Sequence, residues 1–216
     1  MEFEGLANGT SPFLLCLGGS SQASIVGFCN GIPPMRWFWI DRFTSFVRGS
    51  HASAIKNVTL AEPALDDYIP GFPHYSHALM IEGAAQTGGL LVSEMLQFEK
   101  RVVLAKISKA VFHRLSLPGD QLLITTKLEK MQGDGAIVQA TIDCQGQRQA
   151  DLDIWFAMLD ERFGDGPMFS PEYLLQWLRI LGIYEVAVDA EGRRLTPPDA
   201  LLEAEKRAMQ SAAKSR

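Results

Sequence analysis

The sequence predicts an α+β fold in which a curved antiparallel sheet of five to six strands wraps one long central helix. Three observations carry that expectation. From Ala78 to Phe98 the chain is a long apolar run, and between Ala78 and Ser93 its only ionisable side chain is Glu82. After Lys100 the apolar residues recur at every second position instead of every third or fourth, the mark of strands with one buried face. Turn-forming residues at Pro118-Gly119-Asp120, Gln132-Gly133-Asp134-Gly135 and Gln145-Gly146 then divide that half into hairpins. A helix apolar on every side has to be covered, and a curved sheet is the available cover.

In chain order, residues 1–34 are rich in Gly, Ser, Cys and Asn and hold neither a helical nor a strand period. Met35 then opens a dense aromatic run, so the expectation is a natural start at Met35 and a leader that is misassigned or disordered; a genuine N-terminal arm is the alternative. Trp37 to Val47 reads as a short aromatic element, Arg48-Gly49-Ser50 as a turn, and His51 to Leu60 as a strand on its β-branched content. Pro63 and Pro70 bracket a loop leading to the central helix. Val102–Ile107 and Ala110–Leu115 are the next strand candidates. Leu122, Ile124, Thr126 and Leu128 alternate along another, Ala136, Val138, Ala140 and Ile142 along a fourth, and Ala150, Leu152, Ile154, Phe156 and Met158 along the last.

Past Arg162 the chain changes character. Ser170 reads as an N-cap with Pro171 at the first helical position, and Leu174, Trp177, Leu178 and Leu181 follow at helical spacing before Gly182 ends the run. Thr196-Pro197-Pro198 precedes an Ala/Glu/Lys-rich tail expected to be a frayed helix. The organisation is therefore a leader over 1–34, one domain over 35–162 and a helical extension over 163–216.

Composition sets outer bounds on function. The 216 residues are 47% hydrophobic and 21% charged, as in an ordinary globular protein. A net charge of −5 argues against nucleic acid, which needs a basic face. Cys16, Cys29 and Cys144 form no CxxC and no even set, and the four histidines have no ligand spacing, so no metal is expected. No run approaches the ~18 apolar residues of a membrane span. Pro12–Leu17 is apolar, but the residues before it carry Glu2 and Glu4 and no basic residue, the wrong charge for export. A reducing cytoplasm is the expected compartment.

Glu82 is the residue that asks for an explanation. A lone carboxylate among apolar neighbours costs several kcal/mol to keep charged and unpaired, so it is partnered, protonated or employed. Gln86, four residues on, shares its helical face and can orient it. Gly83, Gly88 and Gly89 lower helix propensity by ~1 kcal/mol each, and their use is close approach of the sheet. Cys144, in a predicted hairpin turn, reads as an inert thiol.

The stretch from Met35 to Asp160 resembles the 3-hydroxyacyl-acyl-carrier-protein dehydratases of fatty acid synthesis, which have the hot-dog fold. The likeness rests on Ile40–Phe43 (I-D-R-F), Lys56–Thr59 (K-N-V-T), Pro70–Pro73 (P-G-F-P), Ile81–Gln86 (I-E-G-A-A-Q) and Lys109–Leu122 (K-A-V-F-H-R…P-G-D-Q-L). It implies removal of water from a 3-hydroxyacyl thioester carried on the phosphopantetheine of acyl carrier protein, with no bound cofactor and no metal. It also implies a homodimer whose sheets pair edge to edge, with one glutamate and one histidine from opposite subunits flanking the substrate. The glutamate maps onto Glu82. The histidine sits in an H-F-P-G motif that reads Tyr68-Ile69-Pro70-Gly71 here, so Tyr68 occupies its place. Gly71, Phe72 and Gln86 are the implied substrate-binding residues, and a backbone N–H near the start of the helix is implied to hold the thioester carbonyl.

Elimination needs a base for the α-proton and an acid for the departing hydroxide. A phenol near pKa ~10 is mostly protonated at neutral pH, and no Lys or Arg stands beside Tyr68 to lower it. His74 and His77 are the available replacements. His77, just before the helix N-terminus, would be kept neutral by the helix dipole. The bland alternative makes both histidines loop residues that cap the helix end or pack on Phe72 and Tyr75. Three functions follow: a dehydratase acting through Glu82 with a displaced histidine or Tyr68, a catalytically impaired acyl-binding or scaffold subunit, and a thioesterase using Glu82 alone.

Overall fold

The computed structural model describes residues 38–62, 65, 71–159 and 169–214. The leader over 1–34, the start at Met35, Tyr68 and the two bracketing prolines lie outside the described residues. The element order is β1 (Arg42–Val47), β2 (His51–Asn57), α1 (His77–Met95), β3 (Arg101–Phe112), β4 (Gln121–Gln132), β5 (Gly135–Cys144), β6 (Gln147–Leu159), α2 (Pro171–Ile180), α3 (Ile183–Val186), β7 (Ala187–Val188) and α4 (Asp199–Lys214). The strands form one curved, unclosed sheet in the order β3-β6-β5-β4-β2-β1-β7. All pairings are antiparallel except β1 with β7.

The predicted α+β plan stands, with three corrections. The sheet has seven strands, because the aromatic element before Arg48 is itself a strand and the C-terminal extension supplies β7. The central helix therefore enters after the second strand, not the first. The two strand candidates after Lys100 are one twelve-residue strand, β3, whose alternation is broken by register shifts at Leu104/Lys106 and Ile107/Lys109. A bulge moves the next side chains to the other face, which hides one strand as two in the sequence pattern.

Alternation places the core. Leu122 and Ile124 on β4, Ala136 to Ile142 on β5, and Ala150 to Met158 on β6 turn their even-numbered apolar residues inward, and all are buried. Helix α1 lies across this face. A Cβ added at Gly88 would stand 3.0 Å from Val138 Cγ1 and 3.3 Å from Phe156 Cε2, and one at Gly83 3.0 Å from Ile124 Cδ1. The glycines thus let sheet and helix approach, as the sequence led us to expect. The helix begins at His77 and ends at Met95, earlier than the predicted Phe98, since Gln97 and Phe98 take positive φ of 56° and 58° and turn the chain out.

The extension is docked. Strand β7 pairs with Phe46 and Val47 of β1, and Phe43 N–H donates to Leu181 C=O at 2.8 Å. Leu175, Leu178 and Leu181 are buried, with Leu174 and Trp177 half-buried beside them. Gly182 ends the run in the left-handed conformation, φ 66°. The tail expected to fray is helix α4, held by buried Leu201 and by an Arg179–Glu205 ion pair. No helix among the described residues is long and apolar enough to cross a membrane.

Candidate active site

Ser76 caps α1, its Oγ accepting the Leu79 N–H at 3.3 Å. Cap and helix fix the direction in which the first two turns project. Glu82 is 7% exposed, at the second turn. Its Oε1 accepts from Gln86 Nε2 at 3.1 Å, and Gln86 Oε1 in turn accepts the backbone N–H of Trp39 at 2.8 Å. The i, i+4 pairing read from the sequence is therefore real, and the structure adds its third member. Trp39 N–H was not legible, because it lies 47 residues away and a backbone donor leaves no mark in side-chain composition. Burial pushes the Glu82 carboxyl above its ordinary 4.5, and the Gln86 hydrogen bond draws it partly back.

His77 is the first residue of the helix, not the one before it. Five residues from Glu82, it projects roughly 140° away around the axis. Its ring stacks on Phe112 of β3, centroids 4.0 Å apart and planes within 10°, and its buried Nε2 has no hydrogen-bond partner among the described residues. Burial, then the neighbouring His74, lowers the imidazole below its ordinary 6.5. His74 is buried with Nδ1 3.0 Å from the Phe72 carbonyl and its ring 5.5 Å from the Phe72 ring. So His74 packs on Phe72 as the bland reading had it, while the cap itself is Ser76 and not a histidine.

Gly71, at φ 81°, and Phe72, 49% exposed, lie at the surface ahead of the helix. Tyr75 points inward. Its N–H donates to Ser116 C=O at 2.8 Å, so that backbone donor is already taken. Its buried hydroxyl has no partner among the described residues, and burial followed by the negative charges of Glu62, Asp41 and Glu82 holds the phenol well above its usual range. Tyr68 lies outside the described residues.

A second carboxylate on the same helix escaped the sequence reading. Glu94 is fully buried and receives a two-pronged contact from Arg48, Nη2 to Oε1 at 2.5 Å and Nε to Oε2 at 2.9 Å. No spacing rule links a β1–β2 turn residue to a helix residue 46 positions on. The contrast is chemical: Glu94 is neutralised by a cation, whereas among the described residues Glu82 is hydrogen-bonded to the Gln86 amide and to no cation. Cys144 is the last residue of β5, buried, and burial raises its thiol. Among the described residues no three His, Cys, Asp or Glu side chains converge as metal ligands would.

Residues 32–151 match the FabA-like domain. The chain belongs to that family. It is 36% identical over 119 residues, 55% of this chain and 85% of the other, to the 3-hydroxyacyl-[acyl-carrier-protein] dehydratase FabZ of Streptococcus pyogenes serotype M3 (strain ATCC BAA-595 / MGAS315). The protein of the same name from Streptococcus suis (strain 98HAH33) is 36% identical over 106 residues, 49% of this chain and 76% of that one. Among solved structures, the dehydratase heterocomplex ApeI:P from Xenorhabdus doucetiae superposes with a TM-score of 0.50 at 14% identity, covering 65% of this chain and 88% of that one. The fold of this FabA-like chain is the hot-dog fold, as its resemblance implied. The match ends at residue 151, so α2, α3, β7 and α4 lie beyond it.

Proposed function

We propose that this protein dehydrates 3-hydroxyacyl thioesters carried by acyl carrier protein, giving the trans-2-enoyl thioester, and that Glu82 is the acid of that reaction. One observation carries the reading: a buried carboxyl raised above its ordinary range, one oxygen held by an oriented amide, on the helix of a FabA-like domain. With Oε1 engaged by Gln86, Oε2 is the oxygen that carries a proton. In the elimination the Cα–H pair becomes the new π bond, the Cβ–O bond breaks, and Glu82 passes its proton to the leaving hydroxide so that water departs.

The base has to be neutral and unpaired. Of the residues named from the sequence, His77 meets both conditions: its Nε2 has no partner among the described residues, and burial at the first turn of α1 disfavours the imidazolium. His77 and Glu82 of one chain face apart, so the proposal pairs His77 with Glu82 across two copies. Strand β3, at one edge of the sheet, is the strand along which two copies would join. Phe72 and Gly71 would line the entrance for the phosphopantetheine arm.

The test uses a 3-hydroxyacyl thioester and the matching saturated thioester, with wild type, Glu82→Gln, His77→Ala and His74→Ala. Reversible water loss from the first substrate alone, abolished in Glu82→Gln and His77→Ala and retained in His74→Ala, is the expected result. Free thiol released from both substrates would make the protein a thioesterase. Binding without either product would leave an acyl-binding subunit.

A further inference from the structure

We infer that Lys56, buried near the end of β2, is a positioning residue that holds both ends of the segment presenting Gly71 and Phe72. The inference rests on the reading of Gly71 and Phe72 as the entrance for the phosphopantetheine arm.

Two of the sequence blocks shared with the dehydratases, I-D-R-F and K-N-V-T, contribute nothing to the Glu82 carboxyl, yet they meet at the Lys56 ammonium. Lys56 is 8% exposed, and a lysine is buried to that degree only when it is paired. Its Nζ lies 2.8 Å from Glu62 Oε1 and 3.7 Å from Asp41 Oδ1. The same Nζ stands 5.8 Å from the centre of the Tyr75 ring, within cation–π range. Asp41 is fixed in turn, its Oδ2 accepting the Asn57 N–H at 2.7 Å and Asn57 Nδ2 at 2.8 Å.

Glu62 and Tyr75 flank the segment that leads into α1, so one cation touches it at both ends. At the first end, Glu62 Oε1 also accepts the Thr59 N–H at 3.3 Å, and Glu62 C=O accepts the N–H of fully buried Leu65 at 3.0 Å. At the second, the Tyr75 N–H is held by Ser116 C=O, and the next residue is Ser76, the cap of α1. Gly71 and Phe72 lie at the surface between these ends, where burial of their own side chains does little to fix them. Their place is set from the ends. An entrance that keeps its binding arrangement for only a tenth of the time binds about tenfold more weakly, with the chemistry at Glu82 untouched.

The experiment compares wild type, Lys56→Met, Lys56→Arg and Arg48→Met for kcat and KM on the 3-hydroxyacyl thioester, Tm, and amide hydrogen exchange at Leu65 and Tyr75. Arg48→Met breaks a buried ion pair near the other end of α1 and is the control for lost stability alone. In Lys56→Met, KM is expected to rise by about tenfold and kcat to change by less than about twofold. Both amides should exchange about tenfold faster, each reporting one end of the segment. Arg48→Met should lower Tm and leave KM and both amides as in wild type. Lys56→Arg, which keeps the charge, should restore most of KM. Unchanged KM and exchange in folded Lys56→Met, or the same changes in Arg48→Met, overturn the inference. If Lys56→Met does not fold, Glu62→Ala releases the first end alone, and a faster Leu65 amide with raised KM is then required. Absence of turnover in the wild type would count against the dehydratase reading, while the two amides still decide whether Lys56 holds the segment.

Discussion

Replacing Arg48 with methionine strips the fully buried Glu94 of its cation. The two contacts, at 2.5 and 2.9 Å, are replaced by an apolar chain that offers the carboxylate nothing. Breaking a buried pair from one side costs about 3–5 kcal/mol, because the remaining charge stays out of water. The Arg48 side chain is 33% exposed, so solvent can follow it in, and the lower end, about 3 kcal/mol, is the expected loss. For a chain of this size each kcal/mol moves Tm by roughly 2–4 °C, so Tm should fall by roughly 6–12 °C. Urea and thermal unfolding followed by circular dichroism measure it. Replacing both residues, Arg48→Met with Glu94→Leu, should recover most of the loss. A deficit under about 1 kcal/mol at pH 7, or a double variant no more stable than Arg48→Met, would refute the reasoning that an unpaired buried charge is the cost.

Three further outcomes follow from the geometry. Glu82→Gln should lower dehydration by ~100-fold or more while Tm at neutral pH stays level or rises. The raised Glu82 carboxyl makes the wild type lose stability as pH climbs from 4.5 through the folded value, and the variant should lose that dependence in a Tm–pH series. For His77 the sign reverses: its lowered imidazole gives stability that is full above 6.5 and declines as pH falls through the folded value. His77→Phe, which can keep the stack on Phe112, should flatten that acid decline in urea unfolding. Gly88→Ala should cost about 1 kcal/mol net, since strain against Val138 and Phe156 exceeds the ~1 kcal/mol gain in helix propensity. Gly89→Ala meets only Phe156, at 3.3 Å, and should be neutral or stabilising; equal effects at the two glycines would contradict the packing.

How much of this was legible beforehand depended on the range of the interaction. The central helix, its three small residues and the inward faces of β4, β5 and β6 could be read because each is a local period: apolar all round for α1, alternate for the strands. Glu82 stood out for the same reason, as one charge in an apolar run, and Gln86 because four residues make one turn. Leu175 was missed beside Leu174 and Trp177, since a neighbour one position off the expected stripe becomes core only when α2 packs against α4.

What the sequence by itself determined was therefore the fold class, the helix at its centre and the carboxyl on it. Tertiary structure decided the rest. It joined two strand candidates into β3 across two register shifts, made a strand of the aromatic run before Arg48, and laid β7 against it. It gave Glu94 its cation from 46 residues away and Gln86 its donor from 47 residues away. It also turned His77 onto Phe112 and away from Glu82. Periodicity records which face of an element is buried; it carries no record of which distant group will be met there, and the charge state of Glu82 depends on those distant groups.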